Sequence, residues 1–285
     1  MIVTADTADL DRAVLTARGQ TERIGLVPTM GALHEGHLSL IGAARDECRF
    51  VIVSLFVNPT QFGPQEDFDL YPRPFEADLQ ACRDAGVDLV FHPDTKTIYA
   101  DDFATFVEVG GLSAVLEGRF RPGHFRGVTT IVLKLLNLVR PDVAYFGRKD
   151  YQQQLLIRRM CRDLAVPVEI RTRPTVRSAD GLALSSRNRY LDADQRRSAL
   201  ALSQSLFLAR DRLAAGETDL NAIRRAMSQH LASTPRVQVD YATIVHPGTL
   251  EDPAEPLPEM IALVAARVDD VRLIDNLPLT HPTSC

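Results

Sequence analysis

The 285-residue sequence predicts an α/β fold with a largely parallel sheet, followed by a smaller α+β region. Short apolar, β-branched runs alternate with helical patterns over roughly the first 170 residues, and this alternation is typical of right-handed βαβ units. Several of these runs are apolar throughout, which suits strands that are covered on both faces. Two helical patterns then precede three strand patterns, an order typical of α+β folds. The first region is therefore expected to be Rossmann-like.

The strands and helices of the first region follow from hydrophobic periodicity. Strand patterns cover Arg23–Pro28, Phe50–Phe56, Val87–Pro93, Asp142–Phe146 and Val166–Ile170. Helical patterns between and after them cover Gly36–Glu47, Pro74–Gly86, Gly127–Val139 and Tyr151–Leu164. In sheets of this kind ligands bind beyond the carboxyl ends of the strands, where the strand order reverses. The loops that follow the strands are therefore the places to look for a site.

The second region begins near Thr175, which predicts one domain over residues 1–175 and a smaller one over residues 176–285. A long helix capped by Asp192 and a second helix open it. The predicted helices cover Asp192–Leu213 and Leu220–Leu231, and the predicted strands cover Val237–Val245, Ile261–Val268 and Val271–Leu277. Asp269 and Asp270 join the last two strands, which indicates a hairpin.

Composition and charge exclude several classes of partner. The net charge is -5 and no sustained basic run is present, so a nucleic-acid partner is not expected. No segment approaches the ~18 uninterrupted apolar residues of a membrane helix, and the opening residues lack the apolar core of a secretion signal. The cysteines are far apart in sequence and form no C-x-x-C pair: Cys48, Cys82, Cys161 and Cys285. Reduced thiols in a cytoplasmic protein are expected.

The stretch PTMGALHEGHLSL, residues 28–40, places two histidines between a strand and a helix. The start of a helix offers unpaired backbone N–H groups and the positive end of the helix dipole, and both favour an anion. Gly36 lets the backbone approach a phosphate, and His34 and His37 can donate hydrogen bonds to phosphate oxygens. Two alternatives stay open. A metal site is disfavoured because HEGH lacks the spacing of the zinc-binding H-E-x-x-H helix, and both histidines can also be ordinary surface or core residues.

Three further stretches at predicted strand ends carry polar side chains suited to a nucleotide and a small substrate. In Phe146–Gln154, Lys149 can neutralise phosphate, and Asp150 can either bind a ribose or cap a helix. The segment Ser178–Leu191 contains Gly, Ser and Arg residues that can close over a triphosphate, although such residues also form ordinary caps and loops. The amide-rich loop Phe56–Arg73 follows a predicted central strand and is expected to bind substrate.

With these stretches in view, the chain resembles the pantothenate synthetase (pantoate-β-alanine ligase) family from about Ile24 to Asn276. The resemblance rests on PTMGALHEGH, FVNPTQFG, GHFRGVTTIVLKLLNLVRPD, GRKDYQQ and DGLALSSRNRYL. HEGH alone is shared with the wider class of HxGH nucleotidyltransferases and class I aminoacyl-tRNA synthetases. The resemblance implies ATP-dependent condensation of (R)-pantoate with β-alanine to pantothenate, a coenzyme A precursor. It also implies a pantoyl-adenylate intermediate and release of AMP and pyrophosphate.

The resemblance also implies roles for individual residues. His37, as proton donor to the departing pyrophosphate, His34 and Lys149 are the expected catalytic residues. The expected ATP-binding residues are Met30, Gly31, Ala32, Leu33, His34, Glu35, Gly36, His37, Gly147, Arg148, Lys149, Asp150, Val176, Leu184, Ser185, Ser186 and Arg187. Gln61 and Gln153 would bind pantoate, Gln61 would also lie near β-alanine, and the expected neighbours are Asn58, Tyr71 and His124.

Further expectations from the same resemblance are an Mg²⁺ ion on the triphosphate, with no protein ligand assigned, and a homodimer. The first domain would bind nucleotide and pantoate, and the second would close over the active site. Two residues depart from the family pattern. Arg148 stands where the family usually has Glu, and we expect it to point to solvent or to add a phosphate contact. Leu184 replaces a frequent Met, a change of similar volume.

Two other functions compete with the ligase. The first is an HxGH nucleotidyltransferase that transfers AMP to a phosphorylated acceptor. It would need additional cations for that phosphate, and the pair Gln61 and Gln153 argues against it. The second is an inactive nucleotide-binding module or a tRNA-handling relative. An acidic chain lacks the basic face that tRNA needs, and an inactive module has no use for both histidines, Lys149 and both glutamines.

Overall fold

The protein is described by a computed structural model that covers residues 1–20, 23–64 and 66–281. Cys285 lies outside these residues. The chain forms two compact units. The first comprises Met1–Ala114, Arg121–Arg148 and Gln152–Pro174. The second comprises Val115–Phe120, Lys149–Tyr151 and the chain from Thr175 onward. Two short segments that precede Thr175 in sequence therefore belong to the second unit.

The first unit contains a six-stranded parallel sheet, which confirms the predicted fold class. Its strands are β1 (Ile2–Thr4), β2 (Ile24–Thr29), β3 (Phe50–Leu55), β4 (Leu89–Phe91), β5 (Val143–Gly147) and β6 (Glu169–Arg173). They lie in the order β1-β4-β3-β2-β5-β6, and every described pairing is parallel. The chain runs outward from β2 on one side and from β5 on the other. The strand order therefore reverses between β2 and β5, the place where sheets of this type bind ligands.

Helices cover both faces of this sheet. The helices of this unit are α1 (Thr7–Gly19), α2 (Glu35–Glu47), α3 (Phe75–Asp84), α4 (Thr95–Ile98), α6 (His124–Val139) and α7 (Tyr151–Asp163), whereas α5 (Glu117–Phe120) belongs to the second unit. Successive residues of β3 point to opposite faces, so Ile52 joins the core formed with α1 and α6, whereas Val51 and Val53 join the core formed with α2 and α3. Burial on both faces explains why the strand is apolar throughout.

The prediction for β6 was wrong by three residues. The strand was expected over Val166–Ile170 but begins at Glu169. Ala165 has a positive φ of 51°, and Val168 N–H donates to Val166 C=O, so the chain is still turning there. Pro167 also lacks the N–H that a strand residue needs for pairing. The apolar run thus includes a turn that periodicity alone did not reveal.

Other boundaries depend on local caps. Helix α6 begins at His124, before the predicted Gly127, because Gly123 adopts a left-handed conformation (φ 83°) that directs the chain into the helix. No element was predicted before Arg23, yet β1 and α1 lie there. Asp6 caps α1 by accepting hydrogen bonds from the N–H groups of Ala8 and Asp9, a signal that the sequence did contain.

The second unit places two helices against a three-stranded antiparallel sheet. These elements are α8 (Ala193–Ala214), α9 (Leu220–Ala232), β7 (Val237–Val245), β8 (Glu259–Val268) and β9 (Val271–Thr280). The strands lie in the order β7-β8-β9, and the predicted hairpin at Asp269–Asp270 is confirmed. Asp192 and Gln195 form a reciprocal capping box at the start of α8. The apolar core of this unit lies between the helices and the sheet, with Leu206, Met227 and Val264 fully buried.

The cysteines and helices bear on two expectations from the composition: reduced thiols and the absence of a membrane helix. Cys48, Cys82 and Cys161 are buried free thiols. Burial raises the pKa of the Cys82 thiol to about 12 and that of Cys161 to about 11, so both stay protonated at neutral pH. Within the described part of the chain, no helix combines the length and the apolar character that crossing a membrane requires.

A buried ionic cluster joins α5 to the sheet of the second unit. Arg272 on β9 donates two hydrogen bonds to Glu117, at 2.6 and 2.8 Å, and one to Asp240 at 2.7 Å. The hydroxyl of Tyr241 donates to Glu117 at 2.9 Å. The side chains of Arg272, Glu117 and Asp240 are at most 14% exposed. One guanidinium therefore bridges two carboxylates that are largely removed from water.

We expect Arg272→Met to lower the free energy of unfolding by about 3–5 kcal/mol, because it removes the cation that is hydrogen-bonded to the buried Glu117 and Asp240 carboxylates. Urea unfolding followed by circular dichroism measures the change. Arg225→Met is the matched control: Arg225 lies on α9 with a 66% exposed side chain, and its loss should change stability by less than about 0.5 kcal/mol. Equal unfolding midpoints for the two variants would show that the cluster does not stabilise the fold.

Candidate active site

The turn between β2 and α2 changes direction sharply before the two histidines. Gly31 and Ala32 both have positive φ angles, 80° and 51°. A Cβ atom at Gly31 would lie 2.9 Å from the Asp78 carboxylate, so any other residue would displace that carboxylate. Glycine is therefore required here for its conformation and for the close approach of a side chain from α3.

Asp78 holds this turn in place. Its carboxylate, 4% exposed, accepts hydrogen bonds from Ala32 N–H at 2.8 Å and from Leu33 N–H at 2.7 Å. Charge-assisted bonds of this kind are stronger than neutral ones. The sequence reasoning missed Asp78, although it lies three residues after Phe75 and four before Cys82, on the buried face of the predicted helix.

The two imidazoles form the N-terminal cap of α2. His34 Nδ1 accepts a hydrogen bond from Gly36 N–H at 3.1 Å, and His37 Nδ1 accepts one from His34 N–H at 3.3 Å. The ring centroids are 4.1 Å apart. Since both Nδ1 atoms are acceptors, each neutral ring carries its proton on Nε2. The pair thus offers Nε2–H donors at the positive end of a helix dipole, an arrangement suited to phosphate oxygens.

Most backbone N–H groups of Met30–His37 already donate within the chain. Gly31 N–H donates to Thr29 Oγ1, Gly36 N–H to His34 Nδ1, and His37 N–H to His34 C=O, in addition to the two that reach Asp78. Ala32 and Leu33, expected in the ATP site, are buried. Their contribution in this arrangement is the shape of the turn, and the imidazoles supply the donors.

Gln61 lies beside this turn in the first unit. It ends a 3₁₀ turn (Pro59–Gln61) that follows β3, and it is 8% exposed. Its Nε2 donates to the sulfur of Met30 at 3.0 Å. Gln61 therefore contacts Met30, which opens the turn that leads to His34 and His37. Among the expected neighbours, Tyr71 is buried against the ring of Phe62.

A second network fixes the main chain of Gln61. Arg121 donates two hydrogen bonds to Glu66, at 2.6 and 2.7 Å, and its Nη1 lies 3.0 Å from His124 Nε2. Because a guanidinium only donates, His124 Nε2 accepts, and its Nδ1–H donates to Gln61 C=O at 2.8 Å. His124 was expected near the substrate, but Arg121 and Glu66 were missed. Both lie in polar loops where no pattern marks a partner.

A cavity of about 240 Å³ opens beside the turn, at the carboxyl ends of β2, β3 and β4. Met30, Phe56, Phe75, Asp78 and His92 are among its lining residues. The ring centroids of Phe75 and His92 lie 4.4 Å apart with the rings tilted by 40°, and burial lowers the pKa of His92 against the opposing effect of Asp78. The histidine is therefore neutral near pH 7 and adds no positive charge to the cavity.

In the second unit, Lys149 and Asp150 are adjacent, with Nζ 3.7 Å from the Asp150 carboxylate. Lys149 C=O accepts a hydrogen bond from Asn276 Nδ2 at 2.7 Å. The neighbouring residue on β9, Asp275, forms a two-pronged ion pair with Arg177 at 2.6 and 2.9 Å. Asp275 and Asn276 are 3% and 2% exposed. The sequence reasoning missed both, although two polar residues inside an apolar strand were a visible signal.

The Val176–Arg187 segment forms a narrow hairpin that leads into a 3₁₀ turn. Leu184 N–H donates to Val176 C=O at 3.0 Å, which brings two of the expected nucleotide-binding residues together. Ser185 Oγ accepts from Arg187 N–H at 3.3 Å and so caps the turn that contains Ser186 and Arg187. The alternative considered for these serines, a helix cap, is thus realised at Ser185. A capping side chain can also face a ligand.

The remaining expected residues lie on the first unit. Gly147 ends β5 with no atom within 4 Å of an added Cβ, so the backbone there is open to close approach. Arg148 N–H donates to Arg173 C=O at 2.8 Å, which continues the β5–β6 pairing beyond the strand. Gln153 is half-buried in the first turn of α7. The Glu-to-Arg departure at Arg148 therefore leaves the backbone pairing intact.

A parallel sheet with an HxGH turn after β2, beside the point where the strand order reverses, defines the nucleotidyltransferase-like class of α/β folds. Within that class, a family model described as pantoate-beta-alanine ligase matches residues 2–278. The chain belongs to the pantoate-β-alanine ligase family and is a ligase of pantothenate biosynthesis. The resemblance inferred from the sequence is confirmed.

Similar proteins support the same family. A pantothenate synthetase from Moorella thermoacetica is 54% identical over 266 residues, which cover 93% of this chain and 94% of the relative. The crystal structure of pantothenate synthetase from Thermus thermophilus has a TM-score of 0.93 and 47% identity, and the match covers 97% of this chain and 99% of that one. A pantoate-β-alanine ligase from Francisella tularensis, complexed with beta-gamma ATP and β-alanine, has a TM-score of 0.79, 33% identity and 97% coverage of both chains.

We expect Asp78→Asn to lower the rate of pantothenate formation by about 10–100-fold, because the amide NH2 would face one of the two backbone N–H groups and displace the turn. Asp84→Asn on the same helix is the matched control, since Asp84 is exposed and its described hydrogen-bond partner is Gln80. Steady-state rates at saturating substrate measure the effect. A rate for Asp78→Asn equal to that of the control would show that the turn holds its shape without the carboxylate.

The ion pair of Glu66 predicts a pH dependence of stability. Burial raises the pKa of Glu66, but the hydrogen bonds and charge of Arg121 outweigh burial and lower the pKa from 4.5 to about 2. The ionised form is therefore favoured in the folded state, so its contribution is complete above pH 4.5 and is lost as the pH falls toward 2. Between pH 6 and pH 3, wild type should lose about 2 kcal/mol more stability than Glu66→Gln. Parallel urea titrations that show equal losses would contradict this.

Proposed function

We propose that the chain joins pantoate to β-alanine in two steps, with ATP as the activating substrate. In the first, a pantoate carboxylate oxygen attacks the α-phosphorus of ATP, the bond to pyrophosphate breaks, and pantoyl adenylate forms. In the second, the amine of β-alanine attacks the acyl carbon, AMP leaves, and pantothenate forms. The observation that carries the proposal is the pair of Nε2–H donors at the start of α2.

The first step requires positioning and neutralisation of charge more than covalent catalysis. Negative charge develops on the phosphate oxygens and on the departing pyrophosphate. His34 and His37 donate to these oxygens from a helix N-terminus, where the helix dipole adds to the stabilisation. Because His37 Nδ1 is occupied by a backbone N–H, Nε2 is the atom through which His37 acts as proton donor.

In the second unit, Lys149 is proposed to neutralise phosphate, and Asp150 to accept hydrogen bonds from the ribose. Val176 is proposed to read the adenine edge through its backbone, next to the closely paired Leu184. Ser185, Ser186 and Arg187 are proposed to hold phosphate oxygens from the capped 3₁₀ turn. Gly147 and Arg148 complete the proposed nucleotide contacts. The bound ATP analogue in the Francisella relative supports ATP as a ligand of this family.

The second step needs a neutral amine close to the acyl carbon. A mixed anhydride is reactive, so holding the amine in place supplies most of what the step requires, and no side chain is assigned as a base. Gln61 and Gln153 are proposed to hold pantoate, with Gln61 also near β-alanine. The fixed main chain of Gln61 supports that role, because a rigid amide orients its ligand.

An Mg²⁺ ion is expected with the triphosphate, where it would neutralise phosphate charge. In the described part of the chain, no three His, Cys, Asp or Glu side chains form a metal-binding group. The ion is proposed to take its ligands mainly from phosphate oxygens and water. A homodimer in the cytoplasm is an expectation carried by the family resemblance.

The test is formation of AMP and pyrophosphate, first with ATP and pantoate, then with β-alanine added. We expect pyrophosphate release to depend on pantoate, and pantothenate to form only with β-alanine. His37→Ala should lower adenylate formation by about 10²–10³-fold, because one oxyanion donor is lost. His246→Ala is the control, since His246 is exposed and caps a turn of the second unit.

Two results would overturn the proposal. Near-normal adenylate formation by His37→Ala would remove that histidine from the first step. Pyrophosphate release that responds to a phosphate monoester and not to pantoate would favour a nucleotidyltransferase with a phosphorylated acceptor.

A further inference from the structure

We infer that Tyr99 and Asn58 are positioning residues that fix the orientation of the Gln61 amide, so that Gln61 faces pantoate with its NH2 group. Gln61 then acts as a hydrogen-bond donor that recognises a carboxylate or hydroxyl oxygen. The inference rests on the proposed function for the identity of the substrate. The orientation itself follows from the hydrogen bonds of the first unit.

The amide of Asn58 cannot be turned over. Its Oδ1 accepts hydrogen bonds from Thr60 N–H at 3.3 Å, Thr60 Oγ1 at 3.0 Å and Tyr99 OH at 2.8 Å. Its Nδ2 donates to Gly127 C=O at 3.2 Å. A backbone N–H can only donate and a backbone C=O can only accept, so the positions of oxygen and nitrogen are determined by their neighbours.

The orientation of the Asn58 amide determines that of the Gln61 amide. Its Nδ2 also donates to Gln61 Oε1 at 3.1 Å, so the oxygen of Gln61 faces Asn58. The Gln61 Nε2 therefore faces the other way, toward Met30 in the turn before the two histidines. A glutamine amide in water can present either end to a ligand. Here the oxygen of the Gln61 amide is bonded to Asn58, so the NH2 group is the end that lies toward the proposed site.

Tyr99 is placed to act through Asn58. It is 9% exposed, and its ring packs against Phe56 and Phe103 at centroid distances of 6.4 and 4.9 Å. Burial raises the pKa of its phenol, so the hydroxyl keeps its proton and can donate. Its hydroxyl contacts Asn58 and also Thr60 Oγ1 at 3.2 Å. The ring thus holds one donor against the amide of Asn58.

Close backbone contact from α6 completes the arrangement. A Cβ atom at Gly127 would lie 2.3 Å from Thr60 C=O and 2.7 Å from Gln61 Cα. Only glycine lets α6 approach the 3₁₀ turn so closely, and this approach brings Gly127 C=O within reach of Asn58. With His124 holding Gln61 C=O, both the main chain and the side chain of Gln61 are fixed before substrate binds.

The test compares pantoate affinity, measured by equilibrium titration, in wild type and variants. Tyr99→Phe keeps the ring and removes the donor, and it should raise the Kd for pantoate about 3–10-fold while leaving the Kd for ATP unchanged. Asn58→Asp removes the NH2 group that holds Gln61 Oε1, so a larger rise, above about 10-fold, is expected. Tyr145→Phe is the matched control, because it removes a fully buried hydroxyl whose partners are the Cys48 thiol and the Glu47 carboxylate.

A double-mutant cycle separates positioning from a general structural role. If Tyr99 acts through Gln61, adding Tyr99→Phe to Gln61→Ala should cause no further rise in the Kd for pantoate. The same rise with and without Gln61, or equal rises for pantoate and ATP, would overturn the inference. Suppose that wild type releases pyrophosphate in a pantoate-dependent way, but that Tyr99→Phe has an unchanged Kd for pantoate. The inference would then be wrong, and the proposed function would stand. Absence of that release in wild type would overturn the proposed function as well.

Discussion

The contact between the Asp78 carboxylate and the turn after β2 determines where the histidines lie. Consecutive left-handed residues are unfavourable for anything but glycine, at about 1–2 kcal/mol for Ala32. Two charge-assisted hydrogen bonds from a buried carboxylate offset that cost. The conformation of this turn determines the residue at which α2 begins, and therefore makes His34 the N-cap of that helix. The position of the two imidazoles, the proposed phosphate donors, therefore depends on Asp78 of α3, a residue to which no ligand contact is assigned.

Hydrogen bonds to neighbouring backbone groups determine which atom of each polar side chain in this region donates and which accepts. His34 and His37 accept at Nδ1, which leaves the proton on Nε2. His124 has the opposite tautomer, because Arg121 donates to its Nε2 and Gln61 C=O takes the proton on Nδ1. Each ring is thereby assigned one role without reference to a ligand. Since these orientations exist before binding, less conformational entropy is lost when substrate binds.

The sequence predicted what depends on local pattern. Hydrophobic periodicity predicted the parallel sheet and the α+β second region, and a short motif predicted the glycine-containing histidine turn. What it could not predict are partners brought together by the fold: Asp78 lies 46 positions from Ala32, Glu66 lies 55 from Arg121, and Asn276 lies 127 from Lys149. The start of β6 was misplaced for a related reason, because an apolar run does not show whether its first residues pair or turn.

Strand β9 shows how partners that are distant in sequence hold two loops of the second unit in place. Its adjacent residues Asp275 and Asn276 hold Arg177, next to Val176, and the main chain of Lys149. A lysine carries a compact charge on a flexible stem, so its position depends on where its backbone is held. Two segments that are remote in sequence, and that are proposed to bind the nucleotide, thus share one rigid support. The buried polar pair in an otherwise apolar strand is therefore better explained by this support than by the stability of the second unit alone, for which an apolar pair would serve as well.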